Sequence, residues 1–122
     1  MTEEITDLDL VEEQLKVASG KHLSISGKDL QRKGYAIEVR IYAEDSKTFF
    51  PSPGGIIEFQ LPQGKGIHNK CAAEAGSHMT PLYDPMISKL IAWDETRSGA
   101  RTRMKGTLEN YKNEGIKTIF QC

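Results

Sequence analysis

Gly34-Tyr35-Ala36-Ile37-Glu38-Val39-Arg40-Ile41-Tyr42-Ala43-Glu44-Asp45 is the stretch on which the architecture turns. Tyr35, Ile37, Val39, Ile41 and Ala43 alternate with Ala36, Glu38, Arg40 and Tyr42. A period of two is the signature of a strand, whose successive side chains point to opposite faces. One face of this strand is strongly apolar and packs. The other carries Glu38, Arg40 and Tyr42 and is free for chemistry.

Upstream, Thr6 and Asp9 form a capping signature ahead of Leu8, Val11, Leu15 and Ala18 at helical spacing, and Gly20 supplies a stop. The spacing predicts a helix over Leu8 to Ser19 with one buried stripe. Lys21 to Lys33 reads as a loop with a short turn around Lys28 to Gln31.

Downstream, Pro51-Ser52-Pro53-Gly54-Gly55 breaks the chain. Gly55 to Gln60 and Gly66 to Ala73 read as short strands on either side of a loop at Pro62 to Lys65, and Gly76 to Pro85 reads as a further loop. Met86 to Trp93 is apolar enough for a buried strand, with a helical reading left open. Asp94 is positioned to cap a second helix whose stripe is Ala100, Met104, Leu108 and Tyr111. Gly99 and Gly106 each weaken that helix by about 1 kcal/mol relative to alanine. Gly115 ends it, and Ile116 to Phe120 is a last strand. The sum is an α+β fold: a small antiparallel, barrel-like sheet flanked by helices.

With 122 residues, the chain is sized for one domain or a piece of a larger protein. Sixteen basic and seventeen acidic residues give a formal charge of -1, which points to neither nucleic acid nor an anionic membrane as partner. No apolar run reaches the roughly 20 residues of a membrane span. MTEEITDLDL at the N-terminus lacks the basic start of a secretory signal. Cys71 and Cys122 are too few for a disulfide framework, so a cytoplasmic setting is expected, with an organelle matrix left open.

Arg40 is the leading candidate for chemistry. Its guanidinium stays charged and offers a rigid fork of donors suited to an oxyanion, and the bland alternative is a structural pair with Glu38. His22, His68 and His78 show no ligand spacing, so no metal site is expected. Gly64-Lys65-Gly66 is too short for a phosphate cradle and reads as a turn. Arg97, Arg101, Arg103, Lys105 and Lys112 are interleaved with Glu95, Glu109 and Glu114, which reads as a solvated helix face. Met104-Lys105 lies within helical periodicity, not on the hairpin turn of a biotinyl or lipoyl carrier.

Five segments in order carry a family resemblance. They are Thr2 to Leu15, Gly34 to Asp45, Phe50-Pro51-Ser52-Pro53-Gly54, Pro81-Leu82-Tyr83-Asp84-Pro85-Met86-Ile87-Ser88-Lys89-Leu90-Ile91, and Asn113-Glu114-Gly115-Ile116-Lys117-Thr118. Together they resemble the C-terminal domain of biotin carboxylases over essentially all of 1–122. The resemblance implies ATP- and bicarbonate-dependent carboxylation of biotin, with Arg40 stabilising the oxyanion of the biotin ureido group. It implies Glu38, Tyr83 and Asp84 as substrate-binding neighbours, with Glu38 orienting Arg40.

It also implies biotin on a carrier as substrate, with ATP and magnesium in the full enzyme and none bound to this piece. The implied partners are the ATP-binding portion of the same enzyme, a biotin carboxyl carrier domain, a carboxyltransferase component and a second copy in a homodimer. Asp7 stands where the family usually has glycine, and His68 where many bacterial members place an interface arginine. The family's Glu-x-Asn segment and glycine-rich lid are expected upstream of Met1, so the chain reads as a piece truncated at both ends and inactive alone. The competing reading is a non-catalytic interaction or dimerisation module of the same fold. The Tyr83-to-Ile87 wording leans toward an acyl-CoA carboxylase, as in fatty acid biosynthesis, over pyruvate carboxylase.

Overall fold

The computed structural model describes residues 1–27 and 30–121. The turn expected around Lys28 to Gln31 falls partly on Lys28 and Asp29, outside the described residues, as does Cys122. Helices α1 (Thr2–Thr6) and α2 (Leu10–Ala18) open the chain, and β1 (Tyr35–Tyr42) follows. Then come β2 (Gly54–Gly55), β3 (Glu58–Gln60), β4 (Ile67–Cys71), β5 (His78–Met79) and β6 (Met86–Asp94). The chain continues through α3 (Arg97–Glu109), β7 (Lys112–Glu114) and β8 (Ile119–Gln121).

The α+β expectation holds, and every recorded strand pairing is antiparallel. The sheet has the order β4-β6-β1-β8, with two small ribbons, β2-β5 and β3-β7, beside it. β1 is therefore an interior strand. Its β-branched and aromatic residues suit a pleated, half-buried surface. Tyr35 pairs with Asp94 and the register runs to Ile41 opposite Ser88, then shifts at a bulge so that Tyr42 meets Met86.

Val39, Ile41 and Ala43 are buried, as the alternation requires, whereas Tyr35 at the strand's start is exposed. They join Leu90 and Ala92 of β6, Met104 of α3, Ile56 and Tyr111 in one core. Full burial of a large aliphatic side chain such as Ile41 or Leu90 contributes about 1.5–3 kcal/mol. β6 is apolar on both faces because α3 packs on one and Ile91, on the other, is also buried. The strand reading of Met86 to Trp93 is thus correct, and the helical one is not.

Several boundaries differ from expectation. The first helix divides in two at Asp7, which adopts φ 58°, ψ 32°, and Asp9 rather than Thr6 caps α2, accepting from Glu12 N at 2.9 Å. Its expected stripe is not buried: Val11 and Leu15 are 61% and 67% exposed, and the buried residue of α2 is Glu13. Glu13 is satisfied by Lys16 Nζ at 2.7 Å and by the hydroxyl and amide of Ser24. The Gly55-to-Gln60 strand is two strands in different ribbons, separated by buried Ile56 and exposed Ile57.

Thr96, not Asp94, caps α3, accepting from Gly99 N at 3.0 Å. Asp94 instead reaches Arg103 Nη2 at 2.6 Å, tying β6 to the helix. Its carboxylate passes so close to Gly99 that a Cβ there would meet Oδ1 at 2.3 Å, which is why this helix carries a glycine. The helix stops at Asn110, well before Gly115, and β7 intervenes. Ile116 lies outside β8.

Candidate functional site

The two sheet faces are chemically different. Helix α3 lies on the apolar one. On the other, α1 sits over one end, fixed by Glu4 to His68 (3.3 Å), Glu3 to Lys70 (3.0 Å) and the Met1 amine to Glu38 (3.7 Å). Lys33 N also donates to Ile5 O at 2.7 Å. Beyond this cover, Arg40 stands on the polar face with its side chain 54% exposed.

Glu38 Oε1 lies 3.5 Å from Arg40 Nε, the same-face, two-residue spacing of a strand. The Tyr42 hydroxyl and then the Glu38 carboxylate raise the guanidinium above its ordinary value. Arg40 therefore remains a cation at any working pH. With Glu38 facing Nε, the fork is oriented from one side and half-open to solvent. That is the donor set a planar oxyanion requires: fixed charge, directional N–H groups and an accessible edge.

Tyr83 and Asp84 are placed differently. Both are exposed in the loop that leads into β6. Asp84 Oδ1 accepts from Met86 N at 2.9 Å, and Pro85 O accepts from Ala43 N at 2.8 Å. This seats the loop past the bulged end of β1, with no recorded contact between Tyr83 or Asp84 and Arg40. The structure brings Glu38 and Arg40 together, and leaves Tyr83 and Asp84 at the neighbouring rim.

Two cations on the polar face escaped sequence reading. Across the sheet, Lys70 of β4 is opposite Lys89 of β6, Lys89 opposite Arg40, and Arg40 opposite Gln121 of β8. Period alone shows which face a residue occupies but not which residue of another strand it meets, so only the register exposes this row.

The expected solvated face of α3 is qualified by Arg103, which donates to Lys65 O and Asp94. Lys65 belongs to the expected turn, which Ile67 N closes onto Gly64 O at 3.0 Å. Among the described residues, no group of three His, Cys, Asp or Glu could hold a metal ion, and no helix is long and apolar enough to cross a membrane. A concavity of about 570 Å³ beside β4, lined by Glu4, Leu61, Gln63, His68 and their neighbours, does not include Arg40.

Comparison with known proteins is consistent across sequence and structure. The model of the "Biotin carboxylase C-terminal domain" family matches residues 38–122. Biotin carboxylase 2 of Bacillus subtilis is 57% identical over 97% of this chain, which spans 27% of that protein. The biotin carboxylase of Haemophilus influenzae is 44% identical over 97% of the chain and 26% of its own length. The biotin carboxylase domain of Hydrogenobacter thermophilus 2-oxoglutarate carboxylase, solved as a dimer with MgADP, ADP and bicarbonate, superposes with a TM-score of 0.91. It is 43% identical, and the match covers 95% of this chain and 26% of that one. The chain thus spans about a quarter of the length of its relatives.

Proposed function

The chain belongs to the biotin carboxylase C-terminal domain family, and on that premise we propose that residues 1–122 act as the part of a biotin carboxylase that supplies Arg40 to the reacting ureido group. The whole enzyme would carboxylate carrier-linked biotin with ATP and bicarbonate. ATP activates bicarbonate, and loss of the ureido proton places negative charge on the ureido oxygen. A preorganised cation at that oxygen stabilises the charge where it develops.

The observation that carries this reading is the position of Arg40: interior strand, polar face, Tyr42 and Glu38 beside the guanidinium, and the side chain still 54% exposed. A purely structural arginine would have its fork consumed by partners. Glu38 acts as its positioning residue. Tyr83 and Asp84, on the adjacent rim, would meet the substrate from the loop side.

Magnesium and ATP would be held by the ATP-binding portion. The chain by itself would provide the stabilising charge without generating the activated carbonate, and so be inactive alone. Its partners would be that ATP-binding portion, a biotin carboxyl carrier domain, a carboxyltransferase component and, in the full enzyme, a second copy, all in the cytoplasm. We assign the parent to the acyl-CoA carboxylases of fatty acid synthesis on the Tyr83-to-Ile87 wording. Relatives acting on other acceptors share the fold, and the acceptor would be chosen by the carboxyltransferase component.

The test is complementation. The chain is mixed with a separately produced ATP-binding portion of a related carboxylase, and biotin-dependent ATP cleavage is measured. Activity that requires both pieces and falls with Arg40→Ala is expected. Restored activity that is indifferent to Arg40→Ala would sink the assignment.

A further inference from the structure

Arg40 has a long, rotamer-rich side chain that is 54% exposed, so a fixed direction for its fork has to be imposed by neighbours. The residue opposite it on β6 is Lys89, a like charge that cannot accept a hydrogen bond. Glu38 faces Nε from one side only, at 3.5 Å, and its second oxygen is drawn to the Met1 amine at 3.7 Å. One contact leaves a guanidinium free to swing about it.

The other same-face neighbour on β1 is Tyr42, two residues on and so about 7 Å along the strand. Its hydroxyl accepts from Arg40, and of the groups that raise the guanidinium it acts most strongly, ahead of Glu38. The ring that carries this hydroxyl is itself held. In the ladder Tyr42 lies between Met86 of β6 and Ile119 of β8, and all three are half-buried. Directly opposed residues share a sheet face, so an apolar side chain flanks the phenol on each side. Met86 reaches its place through the bulge: Ile41 meets Ser88 but Tyr42 meets Met86, which leaves Ile87 as the extra residue. Ile87 and Ser88 are accordingly both buried in the core.

We propose that Tyr42 is a second positioning residue for Arg40. Its hydroxyl and the Glu38 carboxylate grip the guanidinium from opposite ends of one strand face, so that the remaining N–H groups point at the developing ureido oxyanion. This role rests on the catalytic reading of Arg40 and adds a residue that acts only through it. The bulge serves the site too: it brings in Met86 to steady the ring whose hydroxyl steadies the arginine.

Tyr42→Phe keeps the ring and its packing and removes the hydroxyl alone. In the 122-residue chain, side-chain NMR reads the exchange of Arg40 Nε–H with solvent. That exchange should quicken about tenfold in Tyr42→Phe, as a charge-assisted hydrogen bond is lost. Tyr35→Phe, which takes a hydroxyl from the exposed start of the same strand, should leave it unchanged. In the complemented enzyme, Tyr42→Phe should lower kcat for biotin-dependent ATP cleavage about tenfold, while KM for biotin changes less than about twofold. In an Arg40→Ala background the same substitution should have no further effect, because a residue that acts through another is silent once that other is gone.

An unchanged Arg40 exchange rate, an unchanged kcat, or an equal loss of kcat with and without Arg40 overturns the proposal; the last result would make Tyr42 a packing residue only. Failure of the underlying catalytic reading shows elsewhere. Arg40→Ala by itself would then leave ATP cleavage intact, which overturns both roles, whereas a strong Arg40→Ala loss beside a silent Tyr42→Phe overturns the role of Tyr42 alone.

Discussion

Ser88 Oγ and the Tyr111 hydroxyl meet at 3.2 Å inside the core, joining β6 to the short link between α3 and β7. Both are buried, and Tyr111 also makes edge-on contacts with Phe59 and Phe120. One tyrosine thus ties β6 and β8 of the main sheet to the β3-β7 ribbon in a single core. Burial pushes its hydroxyl up to about 12, against the lowering effect of Ser88.

Because Tyr111 holds its proton more tightly folded than unfolded, stability is intact below pH 10 and is lost as pH rises toward 12. Tyr111→Phe should abolish that alkaline loss. At neutral pH it should cost about 1 kcal/mol, since Ser88 is left without its partner. Thermal melts of the two chains at about pH 8 and about pH 11, on either side of the ordinary tyrosine value, check both outcomes.

Asp7 ends α1 in the left-handed region at φ 58°, where its Cβ is crowded. Asp7→Gly should therefore stabilise the chain by about 0.5–1 kcal/mol. Gly34 is the converse case. At φ 70° a Cβ would lie 2.5 Å from Asp94 O and 2.8 Å from the Trp93 ring, so Gly34→Ala should destabilise by about 2 kcal/mol or more. Urea denaturation of the two variants should move the midpoint in opposite directions.

Much of this was legible beforehand. The alternation of β1 and the apolar run of β6 were readable because each strand's burial is dictated by its own period. The α2 stripe misled for a physical reason: Leu8, Val11 and Leu15 have helical spacing, yet the described chain sets no apolar surface against them, and the helix is held by Glu13 instead. The α3 stripe was right through Leu108 but ran on to Tyr111, whose burial comes from a turn and not from a helical face. At the site, Glu38 and Arg40 followed from one strand. Lys89 did not, because its place opposite Arg40 depends on a register set 49 positions away in the chain by two strands' mutual fit.

Glu13 is drawn from 4.5 down to about 2 by Lys16 and by Ser24, and Asp45 falls to about 2 beside Lys117 and the Lys47 and Thr48 amides. Both depressed carboxylates contribute stability above their ordinary values, 4.5 for Glu13 and 3.8 for Asp45, and lose it as pH falls from there toward 2. Glu13→Gln should flatten part of the acid limb of a melting-temperature profile. It should leave the alkaline limb unchanged.

Glu38→Gln keeps the size of the side chain but removes the charge facing Arg40 Nε. In the complemented enzyme the rate should fall on the order of tenfold through misorientation. Arg40→Ala should cost about a hundredfold to a thousandfold. Steady-state kinetics with biotin should show the loss mainly in kcat for both, and Glu38→Asp should recover part of it.

The register Arg40–Gln121 has a bearing on timing. β1 acquires its outer neighbour only from residues about 80 positions further along, which at ribosomal speeds of about 5–20 residues per second emerge roughly 4–16 s later. During synthesis the strand bearing Arg40 would wait with both edges unsatisfied until β6 emerges and with one thereafter, a template for stray pairing. A chaperone that shields nascent strands would be of most use to this polypeptide in that interval.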